Sequence, residues 1–568
     1  MAADSSMTAR RRKKEEDGAV AAKYRKITPK DEEKKKTAAK SARAADKAPA
    51  RKTDAKTRTK ADKKTDKEKT DKAEKPARGK AEAAPRRAAG RKDAPKEAAP
   101  RRVARRKTEG DAEEKAESSR SVKRREAPAR RESGREKRDR KRIDAIFRDR
   151  RRAVSRGVDM AVVVIVLLTV AFDGFGLLLA SLGTVGAVSA QTLTVLGWMA
   201  ALAVLTGLVL PRFCPIDSLI MALTNFLCGV GVVILYTVSP ERGLRQATFY
   251  VMGIAAMLVI SIAVSRAKRF RGLTWMAMLM GIGLLVTPLV FGQWYNGAKN
   301  WVNLPVIGSF QPSEIVKLSL VLAMAYYFSA HRTVLQMMPA ILFAGACLLI
   351  LMLQRDLGTA LVYYITTLAM FYVACGNLPL TLLGLGGGAG AAVMGYRMFA
   401  HVKVRVAMWR NPWIEPLDKG YQIIQALLAI GSGGLFGVGL GQGTPDKIPA
   451  YYNDCIFAVI CEQMGLIFGL LLLAVYVLMI LRGVSVITRS RRSFDMLLGC
   501  GVLMMLGVQT FMIVAGVIKM IPLTGVTMPF LSYGGSSLLS CLMMIGIVHG
   551  IAGRAQEDME EDVLSMKA

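Results

Sequence analysis

Histidine is nearly missing from this chain of 568 residues: His331, His401 and His549 stand far apart, which leaves no zinc or di-iron signature. Cysteine occurs eight times, at Cys214, Cys228, Cys347, Cys375, Cys455, Cys461, Cys500 and Cys541, but no pair has C-x-x-C spacing and all lie in or beside apolar stretches. They read as small hydrophobes rather than metal ligands or disulfides. The first 150 residues have almost no Leu, Val, Ile or aromatic side chain to bury and repeat Ala, Lys, Arg, Asp, Glu and Pro instead. Such a segment cannot offset its chain entropy, so it is expected to stay unfolded. An apolar core followed by a small-residue cleavage site is also lacking there. The first apolar span is therefore expected to act as its own insertion signal.

Charge divides the chain at the same place. Lys and Arg number 53 against 28 Asp and Glu in residues 1–150, and 27 against 17 in residues 151–568, within a whole-chain net charge of +35. Residues 151–555 are long apolar stretches broken by short polar links, the pattern of an all-α, polytopic membrane domain. An apolar run of about 20 residues crosses the hydrocarbon core as a helix. On that criterion about twelve spans are expected, near 158–181, 194–211, 217–237, 248–264, 273–291, 312–330, 336–353, 357–375, 380–398, 456–481, 495–519 and 537–553.

Arg and Lys collect on the cytoplasmic side of membrane proteins. With the N-terminus inside, Arg212, then Arg266, Lys268, Arg269 and Arg271, then His331 and Arg332, then Arg482, Arg489, Arg491 and Arg492 all fall on inner loops. The basic tail and the short acidic C-terminal tail 556–568 are both cytoplasmic on this reading. Segments 292–311, 399–455 and 520–536 then face outward. The long one carries Lys403, Arg405, Arg410, Lys419 and Lys447 with Glu415, Asp418, Asp446 and Asp454. A long charged loop outside the membrane usually carries function.

Four motifs at the outer ends of the spans carry chemistry. Gln311-Pro312-Ser313-Glu314 opens a span, with Pro and Ser suited to a helix start and Glu314 in the first turn, where the macrodipole favours an anion. Lys317 lies on the same face, three residues on. The pair is either a buried clamp between helices or a substrate contact. In Gln354-Arg355-Asp356-Leu357-Gly358-Thr359, Asp356 can cap the next helix and Arg355 can face the water layer; capping alone would account for Asp356. The long loop holds Gly420-Tyr421-Gln422 and a glycine run from Gly431 to Gly441, a weak signal for close backbone approach to a sugar or pyrophosphate. It ends at Tyr452-Asn453-Asp454-Cys455, where a helix N-terminus is expected to hold Asp454 ionised, as a cap or as a base. Glu462 follows two turns deeper. Finally, the Pro- and Gly-rich stretch 521–537, with Ser532 and Tyr533, re-enters the membrane, which broken backbone does only against protein or a polar cavity. These segments are expected to converge on one cavity.

Taken together, Gln311 to Glu314, Asp356 to Thr359, Gly420 to Gln422, Gly431 to Leu435, Asp454 with Ile456-Phe457-Ala458, and Pro529 to Ser537 resemble, in order and spacing, the SEDS family of shape, elongation, division and sporulation proteins. The resemblance covers about 300–550. It implies a ten-helix core, here joined by an extra helix pair before 273. It also implies a bacterial inner-membrane peptidoglycan glycosyltransferase that polymerises lipid II, the undecaprenyl-pyrophosphate-linked disaccharide-peptide, beside a class B penicillin-binding protein. Asp454 matches the family's essential aspartate. Departures are Tyr452-Asn453 where His-Thr is common, Cys455 where Phe is, Cys461-Glu462-Gln463-Met464-Gly465 in place of a Glu-Glu-Leu-Gly run, and Arg355 where Pro is frequent.

The implied chemistry is inverting transfer. Asp454 takes the proton of an acceptor 4-hydroxyl, while Lys403, Arg405, Arg410 and Lys419 meet the departing pyrophosphate, with Glu314, Lys317, Arg355, Asp356, Gln422, Ser532 and Tyr533 as further substrate contacts. No all-protein metal cage is offered; a substrate-held Mg²⁺ or Mn²⁺ is the alternative source of positive charge. The rival classes are a transporter that flips the lipid-linked precursor and a non-catalytic scaffold. For the tail, a solvated tether competes with attraction to anionic lipid; nucleic acid is not expected, because no folded reader accompanies the charge.

Overall fold

The computed structural model describes residues 159–267, 271–295, 297–304, 308–330 and 333–565. The basic tail 1–150 and the inner-loop residues Lys268, Arg269, His331 and Arg332 lie outside them. Twelve of the described helices are long and apolar enough to cross a bilayer, the number that the apolar runs imply.

Helix α1 (Met160–Val185) stops where Gly186 turns left-handed, at φ 73°, and its N–H bonds to Leu182 O. Ser189 then caps α2 (Ala190–Val204), which runs on through a π turn, Leu205–Val209, into a last turn, Leu210–Phe213. Asp217 caps α3 (Ser218–Val238), and α4 (Pro240–Arg266) begins with proline, which lacks the amide a first turn leaves unused. There follow α5 (Arg271–Phe291), α6 (Pro312–Ala330), α7 (Val334–Leu353), α8 (Leu357–Cys375) and α9 (Leu378–Met398). Two shorter helices, α10 (Ala400–Arg410) and α11 (Tyr421–Gly433), precede α12 (Ile456–Ile487), α13 (Ser493–Val517) and α14 (Gly535–Ser565).

Lipid gives apolar helices no reason to leave it, so packing and hydrogen bonds must hold the bundle. Helices α3, α6, α13 and α14 form its interior, while α9 buries almost nothing. At one end, ion pairs tie helices together: Arg482 with Asp217 at 2.8 Å, and Arg554 with Asp495, Arg492 with Asp558, and Arg491 with Asp562. The opposite end carries the polar segments.

Three details differ from the sequence reading. Segment 292–311, expected as a plain loop, forms an antiparallel meander of β1 (Gln293–Tyr295), β2 (Ala298–Leu304) and β3 (Gly308–Phe310), in the order β1-β2-β3. The expected loop 399–455 contains α10 and α11. Helix α14 runs unbroken past the expected span end at 553, so the acidic segment after 555 is helical as far as Ser565.

Helix α12 is not continuous either. Gly465, at φ 86° and ψ 167°, breaks it after two and a half turns, and the glycine run fills the gap. Val438 and Gly439 donate to Glu462 O and Gln463 O at 2.9 and 3.1 Å; Leu466 and Ile467 donate to Gly434 O and Leu435 O at 3.0 and 3.2 Å. The freed carbonyls and amides of the broken helix are thereby paired, as they must be away from water. Gly437, also at φ 86°, lies so close to Gln463 and Gly465 backbone that a side chain could not fit. At Gly437 the run therefore serves close approach of backbone to backbone.

Candidate active site

Asp454 ends a turn built from Ala450, whose φ is 52° and whose carbonyl accepts from Asn453 N–H and Asp454 N–H at 3.0 and 3.2 Å. The N-cap of α12 is Cys455, and no side chain caps that helix. Of the two readings left open for Asp454, cap or base, its carboxylate does not make the cap. The charged groups that act on it are Arg405 of α10 and Asp356, and Gly525 lies beside both Asp454 Oδ2 and Arg405 Nη2. Burial pushes the Asp454 carboxyl up to about 6, Arg405 pulls against this, and Asp356 adds to it. That corrects the expectation of a depressed pKa: the helix-start amides make no bond to this side chain, and desolvation wins. A carboxylate with a pKa near 6 is ionised at neutral pH yet basic enough to take a proton.

Three elements fix the turn. Ser532 donates from Oγ to Asn453 O at 2.7 Å and accepts from Met528 N–H at 2.8 Å. Tyr533 N–H donates to Tyr452 O at 2.8 Å, and the two tyrosine rings meet edge to face. Gln422 of α11 donates to Pro449 O at 3.0 Å, just before the turn. Arg405 donates to Leu523 O and Thr524 O at 3.3 and 3.1 Å, and Trp409 Nε1 to Lys519 O at 3.1 Å, so α10 is laid across the 519–524 segment.

Asp356 caps α8 through Thr359 N–H at 3.1 Å while its other oxygen accepts from Asn300 and Gln311 at 2.8 and 3.1 Å. It therefore joins the β meander to α8 as well as bearing on Asp454. Arg355, exposed at φ 63°, stacks over Trp294 of β1 at 5.0 Å. His401, set aside on the sequence, lies in the same cationic group. Burial, Arg405 and Arg355 all push its pKa down, and its Nε2 is buried without a partner. Lys403 and Arg410 are exposed and pair with no described residue. Lys419 is instead paired with Glu415 at 2.5 Å, which holds its pKa up.

Glu314 and Lys317 are 2.7 Å apart and buried. Lys317 also donates to Gln509 at 2.9 Å, and Glu314 accepts from Ser540 at 2.8 Å. Gln509 in turn donates to Thr527 O at 2.8 Å. The pair thus binds α6, α13, α14 and the 520–534 segment together, which is the clamp arrangement, and that segment is the one that reaches Asn453.

Two site elements gave no signal in the sequence. Arg242 and Gln246, on the first turns of α4, touch Tyr451 and Ser532 respectively. They precede the span expected at 248–264, and the helix starts earlier, at Pro240, so that both residues lie in its first two turns. No group of three or more His, Cys, Asp or Glu side chains that could hold a metal occurs among the described residues. With Arg405 beside the Asp454–Asp356 pair, this donor set does not fit a resident divalent cation.

A family model for FtsW, RodA and SpoVE, described as "Cell cycle protein", matches residues 217–557. The peptidoglycan glycosyltransferase RodA of Mycobacterium leprae (strain TN) is 30% identical over 379 residues, 62% of this chain and 81% of that protein. Stage V sporulation protein E of Bacillus subtilis (strain 168) is 32% identical over 363 residues, 59% of this chain and 96% of that protein. Among solved structures, a chain from "Structural coordination of polymerization and crosslinking by a peptidoglycan synthase complex" superposes with a TM-score of 0.51 at 25% identity, covering 60% of this chain and 99% of that one. The matched region begins at α3, well before residue 300. Its ten candidate spans leave α1 and α2 as the additional pair.

Proposed function

The chain belongs to the SEDS family of FtsW, RodA and SpoVE, and from that premise we propose that it is a peptidoglycan glycosyltransferase that polymerises lipid II with inversion. The observation that carries the reading is the state of Asp454: half-buried, outside any cap, with a pKa raised to about 6 and an arginine alongside.

In the proposed step, the 4-hydroxyl of the acceptor GlcNAc attacks the anomeric carbon of a MurNAc carried on undecaprenyl pyrophosphate. The new C–O bond forms on the face opposite the one that breaks, Asp454 takes the hydroxyl proton, and the lipid pyrophosphate leaves with the bonding pair. General-base help contributes about 10²- to 10⁴-fold, so positioning and charge stabilisation must supply the rest. Arg405, Lys403, Arg355 and Arg410 are the cations available for the pyrophosphate, and no step is routed through a metal. Lys419, neutralised by Glu415, is a weaker candidate.

The protein is a multi-pass membrane protein of bacterial peptidoglycan synthesis. The proposed orientation puts the ion-paired end and both termini in the cytoplasm and the Asp454 end outside, following the Arg and Lys distribution. A class B penicillin-binding protein is the proposed partner, supported by the similarity to a chain of a complex that couples polymerization to crosslinking. The basic tail is proposed to approach anionic lipid. Purified full-length protein given lipid II in detergent, with and without the transpeptidase, is expected to yield glycan polymer. Lipid II that stays monomeric in both assays, yet crosses vesicle membranes, would mean a transporter.

A further inference from the structure

Most of the side chains around the Asp454 turn come from segments whose polarity marks them in the sequence. Helix α4 adds a membrane span whose polar first two turns reach the turn directly. Arg242, in the first turn, is half-buried. Its Nη1 donates to Tyr451 Oη at 2.6 Å, and its guanidinium lies 4.1 Å from the centroid of the Tyr452 ring and 5.5 Å from that of Tyr451. The adjacent Glu241 does not neutralise it, because Glu241 pairs with Arg245 at 3.0 Å. One turn deeper, Gln246 is fully buried, donating to Ser532 O at 3.2 Å and accepting from Gly534 N–H at 3.4 Å. Helix α4 therefore grips both segments that frame the site, 451–452 through Arg242 and 532–534 through Gln246.

Tyr452 and Asn453 are also where this sequence departs from the His-Thr common in the family. A cation stacked on an aromatic face and hydrogen-bonded to the next ring holds both rings in register. Arg405 reaches the turn at its Asp454 end, and Arg242 reaches it at its Tyr451 end.

We propose that Arg242 is a positioning residue for the transfer reaction, holding Tyr451 and Tyr452 so that Asp454, on the same turn, presents its carboxylate to the acceptor hydroxyl. This role rests on the reading of Asp454 as the base. A base displaced by about 1 Å can lose on the order of 10²-fold in rate, and that sets the size of the effect.

The test uses full-length Arg242→Ala, Arg242→Lys and Tyr451→Phe proteins, with polymerisation rates normalised to folded protein. Arg242→Ala is expected to lower kcat by about 10- to 100-fold, with KM for lipid II within about threefold of wild type. The acid limb of its pH–rate profile should move to lower pH, because a loosened turn wets Asp454 between Arg405 and Asp356. Arg242→Lys keeps a cation over Tyr452 and should recover most of the rate. Tyr451→Phe removes one acceptor and should cost about two- to fivefold. Arg242→Ala with wild-type kcat and an unmoved acid limb, whatever its yield, overturns the proposal. If that variant does not fold, wild-type kcat in Tyr451→Phe overturns it instead. An inactive wild type in the same assay would remove the glycosyltransferase reading itself, and this role with it.

Discussion

Two groups of charge in this bundle are built on opposite plans. The Glu314–Lys317 pair is sealed: both side chains are buried, and the ammonium and carboxylate find Gln509 and Ser540 besides each other. The Asp454 turn is held through its backbone, while the carboxylate has only a neighbouring cation and a neighbouring anion. Around it, Asn453 Oδ1, Thr524 Oγ1 and His401 Nε2 are buried without partners. Saturation suits a clamp, since a buried charge without a partner is costly. Unsatisfied groups on a fixed backbone suit a site where substrate completes the bonding.

This contrast can be broken most forcefully at the clamp. Glu314→Ala leaves the Lys317 ammonium buried without its carboxylate and is expected to destabilise the fold by about 3–5 kcal/mol, read as a lower unfolding midpoint in detergent. A midpoint that does not move would mean that the pair is not structural.

At the open site the expected losses are in rate. Arg405→Ala removes the cation beside Asp454 and one anchor of α10, and should lower polymerisation by about 10- to 100-fold. The same change removes the influence that holds the Asp454 pKa down, so the acid limb should rise. In the intact protein, Asp454 is the base only when ionised. Activity should therefore be full well above pH 6 and fall to half as pH drops to about 6. A limb near pH 4 would indicate a solvated carboxylate instead. The smallest effect belongs to Lys419→Ala, whose exposed partner Glu415 makes it a surface pair; its rate should stay within about twofold.

Much of this was legible in the residues, and the exceptions have separate causes. Hydropathy locates all twelve spans because twenty apolar residues in a row leave the chain few alternatives to a helix. Capping chemistry likewise places Asp356 and the start of α6 correctly. The break at Gly465 was hidden because it falls within one long apolar run, where a single glycine is unremarkable. The purpose of the glycine run was hidden with it. Helices α10 and α11 were masked by their charges and glycines, which suggest a loop. Arg242 and Gln246 were missed because their role depends on contacts with residues about two and three hundred positions away. Such contacts leave no local pattern.

The most direct test of the account is the rate of glycan formation from lipid II by Asp454→Asn, set against wild type, with the unfolding midpoint of each measured on the same preparations. Loss of about 10²- to 10⁴-fold in rate with an unchanged midpoint is the predicted result, because the side chain is used for neither cap nor clamp. Polymer formed at the wild-type rate would contradict the account, since the proton would then have to leave by another route.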